Sequence, residues 1–116
     1  VDVTGQTMVK AQPRDTKLWR NNPDKPQQVR WWTVNNTQYN QVYWEIRHDT
    51  TRGSDGVDYF GEIDIECDQT EVTVKPDTVP ESEGARWPYV VNVYGCVDGE
   101  TAQKLATLNP LIFWKD

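Results

Sequence analysis

Residues 29–46 read VRWWTVNNTQYNQVYWEI, and this stretch decides the fold class. It contains two runs rich in Trp and β-branched residues, separated by the polar, turn-prone segment NNTQYNQ. In the second run, Val42, Trp44 and Ile46 alternate with polar residues, so they share one face of an extended chain. The pattern predicts two β-strands joined by a turn, with large aromatic rings buried on one side.

Trp31 and Trp32 are neighbours in the first run, and adjacent side chains of a strand point to opposite faces. One ring can therefore join the core. The other must lie on the outer face, under a loop, at an interface or in solvent. The alternation leaves open which of the two points outward.

The remainder of the chain also shows the two-residue period of β-strands. Residues 19–28 read WRNNPDKPQQ, and this composition favours an irregular loop. Residues 100–109 are rich in helix formers, which predicts a short helix ended by Pro110. We expect one all-β domain over residues 1–116, an antiparallel two-sheet sandwich of about seven strands. The predicted strands are 7–11, 29–34, 41–47, 59–67, 72–75, 87–97 and 111–114.

The composition limits the classes of partner. The chain has 116 residues and a net charge of −6, and its basic residues are scattered, so nucleic acid and anionic membranes are poor partners. No apolar run approaches the roughly 20 residues of a membrane-spanning helix. Six Trp, five Tyr and two Phe predict a core built largely from aromatic rings.

Cys67 and Cys96 are the two cysteines of the chain, and an even pair in a small domain is typical of an exported protein with one disulfide. The alternative is two separate buried thiols in a cytosolic protein. The chain begins at Val1 without Met, which favours a processed, periplasmic or secreted protein.

Four segments give the chain a resemblance to known folds: VRWWTV (29–34), VYWEI (42–46), YVVNVYG (89–95) and NPLIFW (109–114). In the order of its elements the chain resembles the cupredoxin-like and immunoglobulin-like sandwiches of exported bacterial proteins. The resemblance implies architecture and leaves function open. A blue-copper site needs two His, a Cys thiolate and a weak axial ligand, whereas this chain has one His, His48, and one Met. Copper electron transfer is therefore not expected.

An acidic row follows one face of the strand predicted at 59–67, where Glu62, Asp64, Glu66 and Asp68 alternate with apolar residues. Three interpretations stay open. The row is a charged outer face that discourages edge pairing, or part of a calcium site, or an acid and base pair of a hydrolase. The calcium ligands would be Asp55, Asp58, Asp64 and Glu66.

Exposed aromatic rings are the second candidate site, because Trp and Tyr supply binding area at little entropic cost. The candidates are Trp31 or Trp32, Tyr39, Tyr43 and Trp87. His48 beside Asp49 could act as a general base, but no nucleophile is placed recognisably for it. We expect an exported, non-catalytic binding module for a protein or carbohydrate ligand. The alternatives are a calcium-binding structural domain and a hydrolase.

Overall fold

A computed structural model of the chain describes residues 2–4, 8–10, 15–53 and 55–116. The described residues contain no helix, which confirms the all-β prediction. This part of the chain contains eleven strands, in this order: β1 Asp2–Thr4, β2 Met8–Lys10, β3 Asp15–Trp19, β4 Val29–Trp32, β5 Val34–Asn36, β6 Val42–His48, β7 Ile63–Ile65, β8 Glu71–Val74, β9 Arg86–Val97, β10 Glu100–Leu108 and β11 Leu111–Lys115.

The largest sheet is built around β9, the longest strand. The strand order is β3-β11-β9-β6-β7, and β10 also pairs with β9. One edge of β9 pairs with β11 through its first three residues and then with β10, while β6 pairs along the other edge. All these pairs are antiparallel except β3 with β11, which run parallel. The first described strand of this sheet therefore lies beside the last strand of the chain.

A two-stranded ribbon of β4 and β8 forms the second layer. Trp31 lies opposite Val72, and Val29 lies opposite Val74, so these four apolar side chains share the inner face of the ribbon. They pack on the core of the large sheet, which gives the predicted sandwich. A small third sheet has the order β2-β1-β5.

Aromatic rings fill the space between the layers, as the composition predicts. Trp44, Trp87 and Trp114 are fully buried. Trp31 meets Phe60 and Tyr89 edge to face, with ring centroids 6.2 and 5.8 Å apart. The inner face predicted for β6 is also correct, since Val42, Trp44 and Ile46 are all buried.

The helix predicted at residues 100–109 is wrong, because Glu100–Leu108 is strand β10. Asp98 and Gly99 have φ angles of 53° and 81°, and Val97 pairs with Glu100 across them. A two-residue turn with both φ angles positive matches the right-handed twist of a hairpin. This turn returns the chain along β9 before a helix can begin, and β-sheet pairing overrides the helix propensity of the segment.

Several predicted strand limits also change. Thr33 interrupts the run 29–34, only Ile63–Ile65 of the run 59–67 is strand, and Asp15–Trp19 is a strand that the sequence pattern did not show. Of the strand predicted at 7–11, Met8–Lys10 is a strand, and residues 7 and 11 lie outside the described residues. The disulfide is confirmed, with a Cα–Cα distance of 6.1 Å between Cys67 and Cys96.

Candidate binding surface

The two adjacent tryptophans of β4 point to opposite sides of the ribbon. Trp31 is 4% exposed, and its Nε1 donates to the hydroxyl of Tyr89 at 3.3 Å in the core. Trp32 is 43% exposed and lies on the outer face. It is the outward ring that the sequence could not assign, and it carries the most exposed large aromatic surface among the described residues.

Trp32 is held in a small charged and apolar cluster. The guanidinium carbon of Arg30 lies 5.3 Å from the centroid of the Trp32 ring, within the range of a cation–π contact. Arg30 also donates from Nε, at 3.1 Å, and from a terminal nitrogen to one oxygen of Glu71. Val34 follows two residues later and is 42% exposed. We call Arg30, Trp32, Val34 and Glu71 the Trp32 patch.

Trp87 does not belong to any surface site, so the prediction that it could be an exposed ring is wrong. Its side chain is fully buried, and its Nε1 donates to Asp58 at 2.9 Å. The ring of His48 stacks on it at a centroid distance of 5.8 Å. Trp87 is buried because it is the second residue of β9 and faces the core. Alternation along the strand places residues 87, 89, 91 and 93 on the inner face.

Tyr39 and Tyr43 lie in two different places. Tyr39 lies over Gly95, and its hydroxyl donates to Gln103 of β10 at 2.9 Å. Tyr43 is half-buried on the outer face of β6, with its ring centroid 6.1 Å from that of Tyr94. Burial, and then the neighbouring Asp64, raises the pKa of Tyr43 to about 12. Both rings are therefore engaged with neighbouring strands.

The four carboxylates predicted as calcium ligands do not form one site. Asp55 accepts from the hydroxyl of Tyr59, while Asp58 accepts from the backbone N–H of Gly61 at 3.0 Å as well as from Trp87. These side chains therefore organise their own loop and tie it to β9.

Asp64 has a separate environment on the sheet, where it accepts from Arg47 at 3.0 Å, and Glu66 is exposed. Across residues 15–53 and 55–116, no group of three or more His, Cys, Asp or Glu side chains is arranged to hold a metal ion.

Asp49, the neighbour of His48 in the chain, makes hydrogen bonds that stabilise its loop. It accepts from the hydroxyl of Thr51 at 2.6 Å and from Nε of Arg52 at 2.7 Å. Arg52 then donates to the backbone carbonyls of Tyr89 and Asn109 at 2.7 and 3.0 Å. The carboxylate beside His48 therefore anchors an arginine that ties the loop to β9.

Sequence reasoning missed Arg30 and Glu71 as members of the site. A signal was present, because Arg30 has the same strand parity as Trp32 and a charged residue favours the solvent face. Val34 shares this parity too, and it argues for the opposite phase. The contribution of Glu71 needs the β4–β8 register, which places it opposite Trp32 and which no local pattern contains.

Comparison with known proteins adds no relationship. No protein-family model, no curated protein and no solved structure is significantly similar to this chain. The disulfide indicates a non-reducing environment outside the cytoplasm. Among the described residues, no helix is long and apolar enough to cross a membrane.

Proposed function

We propose that this chain is a small periplasmic or secreted binding module that holds a protein partner through the Trp32 patch and performs no catalysis itself. The exposure of Trp32 in contact with Arg30 is the observation that carries the proposal. Trp and Arg are two of the residues most enriched among those that dominate the energy of protein interfaces. An immunoglobulin-like or cupredoxin-like topology remains a prediction from the resemblance of its segments.

The ribbon favours a protein over a carbohydrate ligand. Among the described strands, β4 and β8 pair only with each other, so each has one edge without a neighbouring strand. An extended segment of a partner can add to such an edge through backbone hydrogen bonds. Val34, at the end of the same surface, offers apolar contact beside the ring.

The carboxylates support a binding role over hydrolysis. Asp64 is paired with Arg47, Glu45 accepts from Asn92 at 3.1 Å, and both lie half-exposed on an outer sheet face. A catalytic pair would be expected in a concave pocket that excludes water. Asp55 and Asp58, in turn, already accept hydrogen bonds from Tyr59 and Trp87.

The test is affinity capture from the secreted and periplasmic proteins of the source organism, followed by titration with the purified partner. We expect the wild type to bind, and Trp32→Ala to weaken binding by about 30-fold, equivalent to about 2 kcal/mol for a dominant interface residue. Val57→Ala is the matched control, because Val57 is similarly exposed at 44% but lies in the loop between β6 and β7, outside the Trp32 patch. This variant should bind like the wild type.

A glycan array on the same three proteins tests the competing ligand class. Trp32-dependent binding of a glycan, without a protein partner, would contradict the proposal. Equal weakening by the Trp32 and Val57 substitutions would also contradict it, because the loss would then not depend on the patch. Thermal unfolding of each variant checks that the fold is intact.

A further inference from the structure

A second surface lies on the opposite side of the molecule, on the outer face of β3, β11 and the start of β9. Leu18, Ile112 and Trp114 are buried, so the residues that alternate with them face outward. We call the outward cations and rings of this face, together with Lys25 from the following loop, the cationic strip: Lys17, Trp19, Lys25, Arg86, Phe113 and Lys115.

The strand register places a ring between two cations. Phe113 of β11 lies opposite Lys17 of β3 on one side and opposite Arg86 of β9 on the other. Since neighbouring strands are about 4.8 Å apart, the two cationic residues are separated by about 10 Å across the sheet. A ligand that contacts both must extend across the three strands, which favours an oligomer over a single acidic group.

Two lysines also surround Trp19. The ammonium of Lys17 lies 5.5 Å from the centroid of the Trp19 ring and 5.9 Å from that of Phe113, and the ammonium of Lys25 lies 5.8 Å from that of Trp19. In these cation–π contacts the ammonium groups lie over the ring faces. A ligand that stacks on a ring must therefore displace a lysine side chain to the rim of the ring, where its ammonium can contact an acidic group of the ligand.

Two hollows border the strip, with volumes of about 350 and 400 Å³. Both are lined by Arg86 and Leu111, and the second also reaches Phe113 and Lys115. Asp15 lines both hollows, and Glu83 lines the second, so the face contains acids as well. Lysines and arginines still outnumber them, although the whole chain has a net charge of −6.

We propose that the cationic strip binds an acidic polysaccharide composed of uronic acid units. Its charge is complementary to a polyanion, and its rings can stack on the apolar C–H face of a sugar. A uronate unit carries this face and a carboxylate together. An acidic peptide has the carboxylates but lacks the flat face, and therefore matches only half of the surface.

This site is independent of the proposed function. The ribbon that carries Trp32 packs on the inner face of the large sheet, whereas the strip occupies the outer face. One module could thus hold a polysaccharide on one side and a protein on the other. Trp32→Ala should leave polysaccharide binding unchanged, so either proposal can fail without the other.

The test is calorimetric titration of the full chain with an oligogalacturonate, a neutral malto-oligosaccharide of equal length and an oligoglutamate of equal length. We expect the oligogalacturonate to bind most tightly, and to bind more weakly when salt is raised to about 0.15 M. Lys17→Gln and Arg86→Gln should each weaken it by about tenfold, as expected for a lost charged contact. Lys104→Gln is the matched control, since Lys104 is an exposed cation on β10. It should have no effect.

Four results would overturn the proposal: no binding of the oligogalacturonate, equal binding of the oligoglutamate, equal binding of the neutral sugar, or an equal loss in Lys104→Gln. Equal binding of the oligoglutamate would show that charge alone acts. Equal binding of the neutral sugar would show that the cations do not contribute.

Discussion

At the scale of single residues, Gly95 shows how the sheet depends on a missing side chain. A Cβ at this position would lie 2.5 Å from Cδ2 of the Tyr39 ring. Tyr39 covers the glycine and reaches across to Gln103 of β10. An aromatic ring packed over a strand glycine restores contacts that the glycine itself cannot make.

Gly95→Ala should therefore lower the free energy of unfolding by about 1–3 kcal/mol, the usual range for an overpacked site. The cause is displacement of the Tyr39 ring together with loss of its hydrogen bond to Gln103. Urea denaturation measures the effect. The control is the same substitution in a Tyr39→Ala background, where the cost should be much smaller. Equal costs in the two backgrounds would show that the ring is not the cause.

Which of Trp31 and Trp32 points outward could not be predicted from the sequence. Alternation predicts that the two rings lie on opposite faces of the strand. Arg30 and Val34 lie on the same face as Trp32, and the charged residue favours solvent for that face whereas the apolar residue favours the core. In the structure, the partner strand determines which face is buried, because Val72 and Val74 lie opposite Trp31 and Val29 and complete an apolar inner face. Such a pairing joins residues about 40 positions apart, so it lies beyond any local pattern.

At the scale of elements, the hairpin of β9 and β10 shows a turn overriding composition. Residues 100–108 favour a helix by propensity, yet Asp-Gly between two apolar-patterned segments is a strong hairpin signal. The β10 strand also carries two irregularities, between Thr101 and Gln103 and between Lys104 and Ala106. Bulges and exposed lysine are common on strands at or near a sheet edge, where they discourage pairing with other chains.

Gly99→Ala distinguishes a hairpin from a helix at this position, because the two structures predict changes of opposite sign in the free energy of unfolding. In the hairpin, alanine at φ 81° should cost about 1–2 kcal/mol of unfolding free energy. At the start of a helix, alanine would instead be the better residue. Chemical denaturation gives the answer. Asp98→Asn is the control, because Asn tolerates positive φ, and it should change stability by less than about 0.5 kcal/mol.

The loop that Arg52 ties to β9 should respond to acid. Hydrogen bonds from Thr51, and then from Arg52, lower the pKa of Asp49 from 3.8 to about 2. A carboxylate with a lowered pKa in the folded state stabilises the fold above its unfolded pKa and loses this effect as the pH falls through its folded pKa. The contribution is therefore complete above about pH 4 and lost toward pH 2.

The stability difference between wild type and Asp49→Asn should accordingly shrink as the pH falls from about 4 to about 2. Denaturation at a series of pH values measures it, with Asp77→Asn as a control for an exposed carboxylate elsewhere on the surface. A difference that stays constant over this range would mean that Asp49 keeps its ordinary pKa.

At the scale of the whole molecule, the two-residue period predicted the class of fold, the buried face of β6 and the aromatic core. It could not predict the arrangement around β9. The cationic strip exists because β3 lies parallel to β11, which brings Lys17 beside Phe113 from positions nearly 100 residues apart. Only one of these two strands was visible in the sequence pattern. Asp15–Trp19 has a single fully buried residue, Leu18, and its outer face carries the large apolar ring of Trp19 beside Asp15 and Lys17, so apolar and polar residues do not alternate cleanly.

The disulfide acts at this largest scale, because it joins parts of the sheet that are not neighbours. Cys67 follows β7 and Cys96 belongs to β9, while β6 lies between these strands in the sheet. The bond closes a loop with a sequence separation of 29 residues. Loop closure of this length reduces the entropy of the unfolded chain, which is equivalent to about 3–4 kcal/mol of folding stability.

Reduction with dithiothreitol should therefore lower the free energy of unfolding by about 3–4 kcal/mol, measured by urea denaturation of the oxidised and reduced protein. The Cys67→Ala/Cys96→Ala double variant should match the reduced protein and show no response to the reductant. Coincident transitions of the oxidised and reduced wild type would mean that the sheet holds β7 in place without the bond. In that case, the pairing of β6 with both strands would be sufficient for the stability of this part of the fold.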